Sequence, residues 1–191
     1  MLAQIVLFLA LSPLLDAALP VEPIPVQQCW RRAETWRNTV TFAVAYTGSH
    51  VTPNDLLALM SIETCGDPGV YRRMRETGQP LPGHGNDHGA YSIQCRENDK
   101  PDWRSKWKWW LRQTNDPVLA GITCATLDGS SRLDVFRQTV AVIHILGYMC
   151  DLAGCSVASE ALYGPYAGST PNPNLQGRIG ALQSARKRLG G

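Results

Sequence analysis

The chain has 191 residues, and its 18 Lys and Arg residues outnumber its 16 Asp and Glu residues by only two. A net charge of +2 is too small to indicate a dedicated nucleic-acid or polyanion binder. Hydrophobic residues make up 44% of the chain, which is enough for one packed domain and excludes wholesale disorder. Six cysteines, an even number, follow an apolar N-terminus. They favour disulfides over free thiols or zinc ligands and argue against an ordinary cytosolic enzyme.

Residues 1–18 are predicted to be a cleaved secretory signal peptide. The apolar stretch over residues 5–15 is too short to span a bilayer, and the small residues Ala17 and Ala18 follow it. One feature departs from the usual pattern, because no Lys or Arg precedes the apolar stretch. An uncleaved anchor or an ordinary N-terminal helix is the alternative. The prediction is an exported protein, periplasmic or extracellular, which keeps all six cysteines and has no stable membrane span after cleavage.

Residues 19–50 are predicted to form an N-terminal extension followed by a first helix. Residues 20–26 are rich in proline and should be extended. Residues 27–46 carry mostly apolar side chains at spacings of three and four, which indicates a helix, and Gly48 is a suitable stop.

After residue 50 the chain is predicted to be mainly α, and the first helix there carries clear start signals. Thr52 is a good N-cap, Pro53 suits the first helical position, and Asp55 completes a capping box. A helix is therefore expected to begin at residue 53.

The chain that follows is predicted to be helical apart from one long loop. Residues 67–95 hold eight Gly and Pro residues and little periodicity, which indicates an irregular segment. Residues 101–112 are predicted to form a basic helix with three Trp side chains on one face, for which structural anchoring is preferred over sugar stacking or an interfacial membrane role. Ser131 and Asp134 begin a further helix, and residues 139–149 within it are apolar all round, which is typical of a central helix.

The chain ends in a predicted basic helix over residues 171–191. A short helix, capped by Ser156 and running to Tyr163, precedes it, and the segment between them is rich in turn residues. The cations of the last helix are interpreted as a solvated helix end; they are Arg178, Arg186, Lys187 and Arg188. The predicted fold class is mainly α.

Glu63 lies on the apolar face of the last turn of its helix, which Gly66 is expected to end in a left-handed conformation. A carboxylate there faces the negative end of the helix dipole, and its neighbours Leu59 and Met60 are apolar. Both effects disfavour the anion and should raise the pKa of Glu63, as a general acid requires. A surface glutamate, or one paired with a nearby basic side chain, is the alternative.

Three blocks of the sequence stand in the order found in a known enzyme superfamily. They read LLALMSIETCG around Glu63, GAYSIQ ending at Gln94, and EALYGPYAG around Tyr163. Together they resemble the lytic transglycosylases and goose-type lysozymes. That superfamily has a Glu in an E-S-G context, a Gly-rich segment ending in Gln, and a later A-Y-N-A-G-P-G-like stretch. The sequence departs from this pattern at Thr64, which stands where the family has Ser, and at Cys65, which intervenes before the glycine.

The resemblance covers roughly residues 51–170 and implies that they form a lysozyme-like single catalytic domain with a groove. Glu63 would be the general acid and then the general base, and Tyr163 would hydrogen-bond near it. Ser92, Ile93 and Gln94 would line the saccharide groove. The substrate would be the β-1,4 bond between N-acetylmuramic acid and N-acetylglucosamine in peptidoglycan, cleaved without a cofactor or metal. Small exported enzymes of this kind often serve envelope-spanning secretion or conjugation machines.

Most glycosidases pair two carboxyl groups, and the second one is not evident in this sequence. Asp67, Glu76 and Asp87 are the candidates. The resemblance favours a single-acid lytic transglycosylase, in which the C6 hydroxyl of muramic acid attacks and leaves a 1,6-anhydro end. Two alternatives stay open. One is a hydrolytic lysozyme in which Asp87 positions a water, and the other is a non-catalytic secreted wall-binding protein.

The six cysteines allow many pairings. Cys65 and Cys95 each lie within two residues of a site residue that the resemblance implies, so a bridge between them is the preferred interpretation. The other two bridges would then be Cys150–Cys155 and Cys29–Cys124.

The histidines are interpreted as structural rather than as metal ligands. His84 and His88 belong to a Gly-rich loop without the helix that would place both rings on one face, which favours a solvated loop. His144 belongs to the central helix and is interpreted as a hydrogen-bonded core residue.

Overall fold

The structure is a computed structural model and describes residues 28–81, 87–95, 115–153 and 175–190. This part of the chain is mainly α, as predicted, with one two-stranded antiparallel hairpin. Its helices are α1 Cys29–Glu34, α2 Arg37–Thr47, α3 Pro53–Thr64, α4 Val70–Glu76, α5 Cys124–Leu127, α6 Arg132–Ala153 and α7 Leu175–Arg188. The strands are β1 Asp87–His88 and β2 Ile93–Gln94, and a 3-10 turn covers Pro117–Leu119.

Several predicted features lie outside the described residues. They are the signal peptide, the Trp-rich helix over residues 101–112, the short helix from Ser156 to Tyr163, and the Cys150–Cys155 bridge. Within the described ranges, no helix is both long enough and apolar enough to cross a membrane.

The predicted single helix over residues 27–46 is instead two helices, α1 and α2, with a break at Thr35 and Trp36. The amides of these two residues bond to carbonyls three residues back, and the Thr35 hydroxyl bonds to the same carbonyl as its own amide. Such side-chain bonds compete with the helical pattern. The Trp36 indole also donates to the Gly66 carbonyl at 3.1 Å, so the break is joined to the end of α3.

The predicted capping box at the start of α3 is confirmed. The Thr52 hydroxyl accepts from the Asp55 amide at 3.2 Å, and the Asp55 carboxylate accepts from the Thr52 amide at 3.3 Å. Pro53 occupies the first turn, as expected. The helix ends in two left-handed residues, Cys65 with φ 54° and Gly66 with φ 71°. The conformation of Gly66 was predicted from the sequence, and that of Cys65 was not.

Residues 67–95 are more regular than the predicted loop, because α4 and the hairpin lie within them. Asp67 is buried and pairs with Arg32 and Arg73, which fixes the turn that leads into α4. Tyr71 is the buried residue of α4. A seven-residue helix with one buried side chain carries too little apolar periodicity to be recognised in a sequence.

Helix α6 lies at the centre of the described domain, as its apolar sequence predicts. Its predicted capping box is present, because the Ser131 amide donates to the Asp134 carboxylate at 3.1 Å and the Asp134 amide donates to the Ser131 hydroxyl at 3.2 Å. Helix α6 packs on α2, and α3 packs on α1 and α7. These helices share one core; its fully buried members include Val40, Leu56, Leu57, Met60, Tyr91, Leu127, Val135, Val140 and Val142.

Two disulfides join parts of the described chain, and their pairing corrects the predicted one. Cys29 bonds to Cys65, and Cys95 bonds to Cys124. The end of α3 lies against α1, so the Cα atoms of Cys29 and Cys65 are 4.4 Å apart, whereas Cys95 follows β2 and meets α5. The predicted Cys65–Cys95 and Cys29–Cys124 bridges are therefore wrong. Cys65 and Cys95 are each close in sequence to a predicted site residue, but their sulfur atoms face different helices.

The basic residues of α7 are not all solvated, contrary to the prediction. Arg186 lies 2.6 Å from the Asp55 carboxylate, which joins the C-terminal half of α7 to the first turn of α3. Arg178 pairs with Glu63 at the other end of α3. The two remaining cations of the tail are exposed, as predicted.

Candidate functional site

Glu63 lies in the last turn of α3 and faces α7, where it forms an ion pair with Arg178. The Arg178 Nη2 atom lies 2.7 Å from Glu63 Oε1. Only 8% of the Glu63 side chain is exposed, against 37% of the Arg178 side chain. Pairing with a basic side chain was one of the alternatives that the sequence left open, and the partner comes from 115 residues further along the chain.

Tyr71 joins the end of α3 to the turn of the hairpin. Its hydroxyl lies 3.4 Å from the Glu63 carbonyl oxygen and 2.5 Å from Ser92 Oγ. Burial raises the pKa of Tyr71 to about 12, and the Asp87 and Glu63 carboxylates act in the same direction. The hydrogen bond to Ser92 and the charge of Arg178 oppose them. The phenol is therefore neutral near neutral pH and can donate a hydrogen bond beside Glu63.

A second contact ties the same helix end to the hairpin. The Thr64 hydroxyl lies 2.9 Å from the Ala90 carbonyl and 3.1 Å from the Met60 carbonyl of its own helix. Thr64 stands where the resembled family has Ser, and either residue supplies the hydroxyl that makes this bond. The contacts of Tyr71 and Thr64 thus bring the block around Glu63 against the GAYSIQ block.

The turn of the hairpin is held on α6 by Gln138, which is fully buried. The Gln138 side-chain oxygen accepts from the Ala90 amide at 2.9 Å, and its nitrogen donates to the carbonyls of Leu127 and Gly129. Gly89 begins this turn with φ 66°, and a Cβ there would lie 2.5 Å from the Leu127 carbonyl oxygen. The turn therefore requires glycine at this position.

A groove of about 920 Å³ runs beside Glu63, between α1, α3, α4 and α7. That volume is within the range of ligand sites, which are mostly apolar with a few polar groups. The side chains that line it include Trp30, Ile62, Tyr71, Met74, Ala181 and Arg188. Glu63 and Arg178 supply polar groups on the same surface.

The other predicted site residues occupy different surroundings. Ser92 bonds to the hydroxyl of Tyr71 in α4, which also contacts the Glu63 carbonyl, but it is not among the described residues that line the groove. Ile93 is part of the core, with 2% of its surface exposed. Gln94 is exposed and pairs across the hairpin, and neither it nor Ile93 is among the described residues that line the groove. Tyr163 lies outside the described residues.

Two of the three candidate second carboxylates are engaged away from Glu63. Asp67 is held by two arginines, and Glu76 is exposed and lies 3.8 Å from Arg72. Asp87 is different, because its charge acts on the Tyr71 hydroxyl at the candidate site. Of the three, Asp87 is therefore the carboxylate whose charge reaches the candidate site.

His88 is buried, so the prediction that it is solvated is wrong. Its Nδ1 atom lies 3.0 Å from the Asp128 carboxylate, to which Arg75 also bonds at 2.6 Å. Ligand atoms of His88, Cys95 and Cys124 lie within 4.8 Å of one another, the arrangement of a possible metal site among the described residues. The two cysteines form a disulfide, however, and so do not offer thiolates to a metal.

His144 is hydrogen-bonded, as predicted, but its side chain is 28% exposed, so it is not the core residue that was expected. Its Nε2 atom lies 3.1 Å from Asp116 Oδ2, and the other oxygen of that carboxylate accepts from the Tyr46 hydroxyl at 2.9 Å. The cluster joins α6 to α2 through the segment before the 3-10 turn.

Two residues of this site, Tyr71 and Arg178, were not predicted from the sequence. A signal for Tyr71 was present, because it is the one aromatic residue in the charged segment VYRRMRE and therefore marks a buried side of α4. For Arg178 there was no local signal. Its partner is determined by the packing of α7 on α3, which joins residues far apart in sequence.

Comparisons of the chain with protein-family models, with curated proteins and with solved structures find no match. A functional assignment therefore depends on the motifs and on the contacts described above.

Proposed function

We propose that this protein is a lysozyme-like peptidoglycan lytic transglycosylase with Glu63 as its single acid and base. The observation that carries the proposal is the position of Glu63. This carboxylate is largely buried, lines a groove of ligand size, and is held against the GAYSIQ block through Tyr71 and Thr64. Two of the three sequence blocks that suggest this chemistry are thus adjacent. The bound substrate would be a glycan strand of peptidoglycan.

In the proposed mechanism, the Glu63 carboxylic acid first donates its proton to the glycosidic oxygen, and the bond from that oxygen to C1 of muramic acid breaks. The N-acetyl group of the substrate stabilises the positive charge that develops at C1. The C6 hydroxyl of the same sugar then attacks C1 and returns its proton to the Glu63 carboxylate. The products are a free 4-hydroxyl and a 1,6-anhydro end, and no water is consumed.

The contacts around Glu63 support this use of one group for both steps. The Tyr71 hydroxyl and the end of α3 hold the backbone of Glu63, so its carboxyl group is carried on a rigid element rather than on a loop. The apolar side chains of Ile62 and Met74 in the groove wall suit the less polar faces of sugar rings.

The first test replaces the acid. Glu63→Gln keeps the shape of the side chain but cannot donate a proton, so we expect a loss of lytic activity on purified sacculi of at least about a hundredfold. The matched control is Glu76→Gln, which makes the same chemical change at an exposed glutamate of the next helix and should retain full activity. Circular dichroism of both variants checks that the fold is unchanged. Undiminished lysis by Glu63→Gln would overturn the proposal.

Two other functions are favoured by specific observations. Asp87 acts electrostatically on Tyr71, so it could position a water for hydrolysis. Mass spectrometry of the digested sacculi separates the two reactions, because hydrolysis leaves reducing ends and the proposed reaction leaves anhydro ends. The Glu63–Arg178 ion pair would also suit a non-catalytic wall-binding protein, which would bind sacculi without releasing any soluble fragment.

A further inference from the structure

The groove beside Glu63 continues along α7 to the last residue of that helix. The described residues of α7 that line it are Gly177, Arg178, Ala181, Ser184, Ala185 and Arg188. They lie on one face of the helix, because they are direct neighbours or recur at spacings of three and four. The exposed members Gly177, Ala181 and Ser184 have small side chains, which leave space for a ligand between the two arginines.

Arg188 lies at the end of this wall that is distant from Glu63. It follows Arg178 by ten positions on the same helix, which corresponds to about 15 Å along the helix axis. Arg178 is the nearer arginine, because its guanidinium lies 2.7 Å from the Glu63 carboxylate. A group bound at Arg188 would therefore belong to a part of the substrate that is well removed from the cleaved bond.

The charge of Arg188 is available to a ligand. Its side chain is exposed, and among the residues that the structure describes no carboxylate pairs with it. Arg186 on the same helix is instead paired with Asp55. The C-terminal end of α7 carries only about half a negative charge, so this end of the groove remains positive.

We infer that Arg188 forms a subsite for a carboxylate of the peptide stem of peptidoglycan, an inference that rests on the proposed function. The peptide stems are attached to the muramic acid residues of the glycan strand, and they carry free carboxylates. An arginine suits such a group, because its planar guanidinium can donate two parallel hydrogen bonds to one carboxylate. The protein would therefore prefer strands whose stem carboxylates are free.

The test compares two forms of soluble, uncross-linked glycan strands that keep their peptides. The amino groups of both forms are first acetylated, and the carboxylates of one form are then converted to amides. We expect the wild-type kcat/KM to be about threefold higher for the strands with free carboxylates, which is the size of effect of an exposed ion pair. Arg188→Gln should bring this ratio close to one, and Arg188→Glu should bring it below one.

Lys187→Gln is the matched control. Lys187 is exposed and carries the same charge at the adjacent position, but it is not among the described residues that line the groove. This variant should keep the wild-type ratio. An equal loss of the ratio in Lys187→Gln and Arg188→Gln would indicate a general effect of net charge and would overturn the subsite.

A binding measurement separates this inference from the proposed reaction. In Glu63→Gln, labelled strands with free carboxylates should bind about threefold more tightly than amidated strands by fluorescence anisotropy, and adding Arg188→Gln should remove the difference. Equal binding and equal kcat/KM for the two forms would overturn the subsite while leaving Glu63 as the acid. Full activity of Glu63→Gln would instead overturn the proposed function, so the two failures are distinguishable.

Discussion

At the scale of single residues, the phenol of Tyr71 illustrates how a buried polar group couples the site to the stability of the protein. The hydroxyl is shielded by α4 and the hairpin and bonds to Ser92, so its ionised form is disfavoured in the folded state. Burial also raises the pKa of Tyr91 in the core, whose hydroxyl contacts Thr139 at 3.1 Å. In the unfolded chain both phenols ionise near their ordinary pKa of 10.

This difference predicts that the folded state weakens in alkali. Tyr71 has a folded-state pKa of about 12 and an unfolded value of 10, so its contribution to stability is complete below pH 10 and is lost as the pH rises towards 12. The loss is about 1.4 kcal/mol for each pH unit in that window. Tyr71→Phe should be about 1 kcal/mol less stable at neutral pH, because it lacks the hydrogen bond, but should lose stability less steeply above pH 10.

Urea unfolding at a series of pH values between 9 and 11 measures both effects of Tyr71→Phe. The comparison with the wild type isolates Tyr71 from the other groups that titrate in this range. Parallel losses of stability in the two proteins would show that the Tyr71 phenol is not shielded in the folded state.

The role of single residues could be predicted from the sequence only where it depends on near neighbours. The position of Glu63 on the apolar face of a helix end follows from spacings of three and four residues. Its pairing with Arg178 does not, because it depends on how α7 docks on α3. The basic residues of α7 look alike in sequence, yet Arg178 and Arg186 are paired and Arg188 is exposed.

At the scale of secondary-structure elements, the close approach of α3 and α1 fixes where Glu63 lies. A Cβ on Gly66 would lie 2.4 Å from the backbone nitrogen of Ala33 in α1. The two left-handed residues that end α3 therefore allow the chain to turn directly against α1. The Cys29–Cys65 disulfide joins the same two elements.

A pair of glycine substitutions tests this approach. Gly66 and Gly48 both have positive φ, 71° and 63°, but nothing lies within 4 Å of a Cβ placed on Gly48. Gly48→Ala should cost about 1 kcal/mol for the left-handed conformation alone. Gly66→Ala should cost about 1–3 kcal/mol more, because α1 has to move. Urea unfolding measures both variants, and equal losses would contradict the close approach.

The sequence predicts a secondary-structure element when the residues that start or stop it lie within a few positions of one another. The capping boxes at Thr52 and Ser131 are local and were predicted correctly. The break at Thr35 and Trp36 was not, because besides the local bond of the Thr35 hydroxyl it involves the Trp36 indole, which bonds to the Gly66 carbonyl just after α3. Helix α4 was missed since its stability comes from Tyr71 and from ion pairs to other elements rather than from an apolar face.

At the scale of the whole molecule, the two disulfides fix two different segments that meet at the candidate site. Cys29 of α1 bonds to Cys65, which follows the end of α3. Cys95, which follows β2, bonds to Cys124 of α5. Each bond closes a loop of moderate length, with sequence separations of 36 and 29 residues. The pairing could not be predicted, because it depends on which helix each sulfur faces.

Peptide mapping under non-reducing conditions tests this pairing. We expect linked peptides that contain Cys29 with Cys65 and Cys95 with Cys124. The double variant Cys95→Ser/Cys124→Ser should be less stable by about 2–4 kcal/mol, because removal of a native disulfide raises the conformational entropy of the unfolded chain. A linked peptide that contains Cys65 with Cys95 would contradict the structure.

The ion pair between Glu63 and Arg178 also has a consequence for how the protein reaches its native state. The pair spans 115 residues, whereas the capping box at the start of α3 spans three. Contacts of low sequence separation form early in folding, and those of high separation form late because a long loop has to close first. We therefore expect the carboxyl group of Glu63 to stay in contact with water through most of the folding reaction, until α7 docks and encloses it.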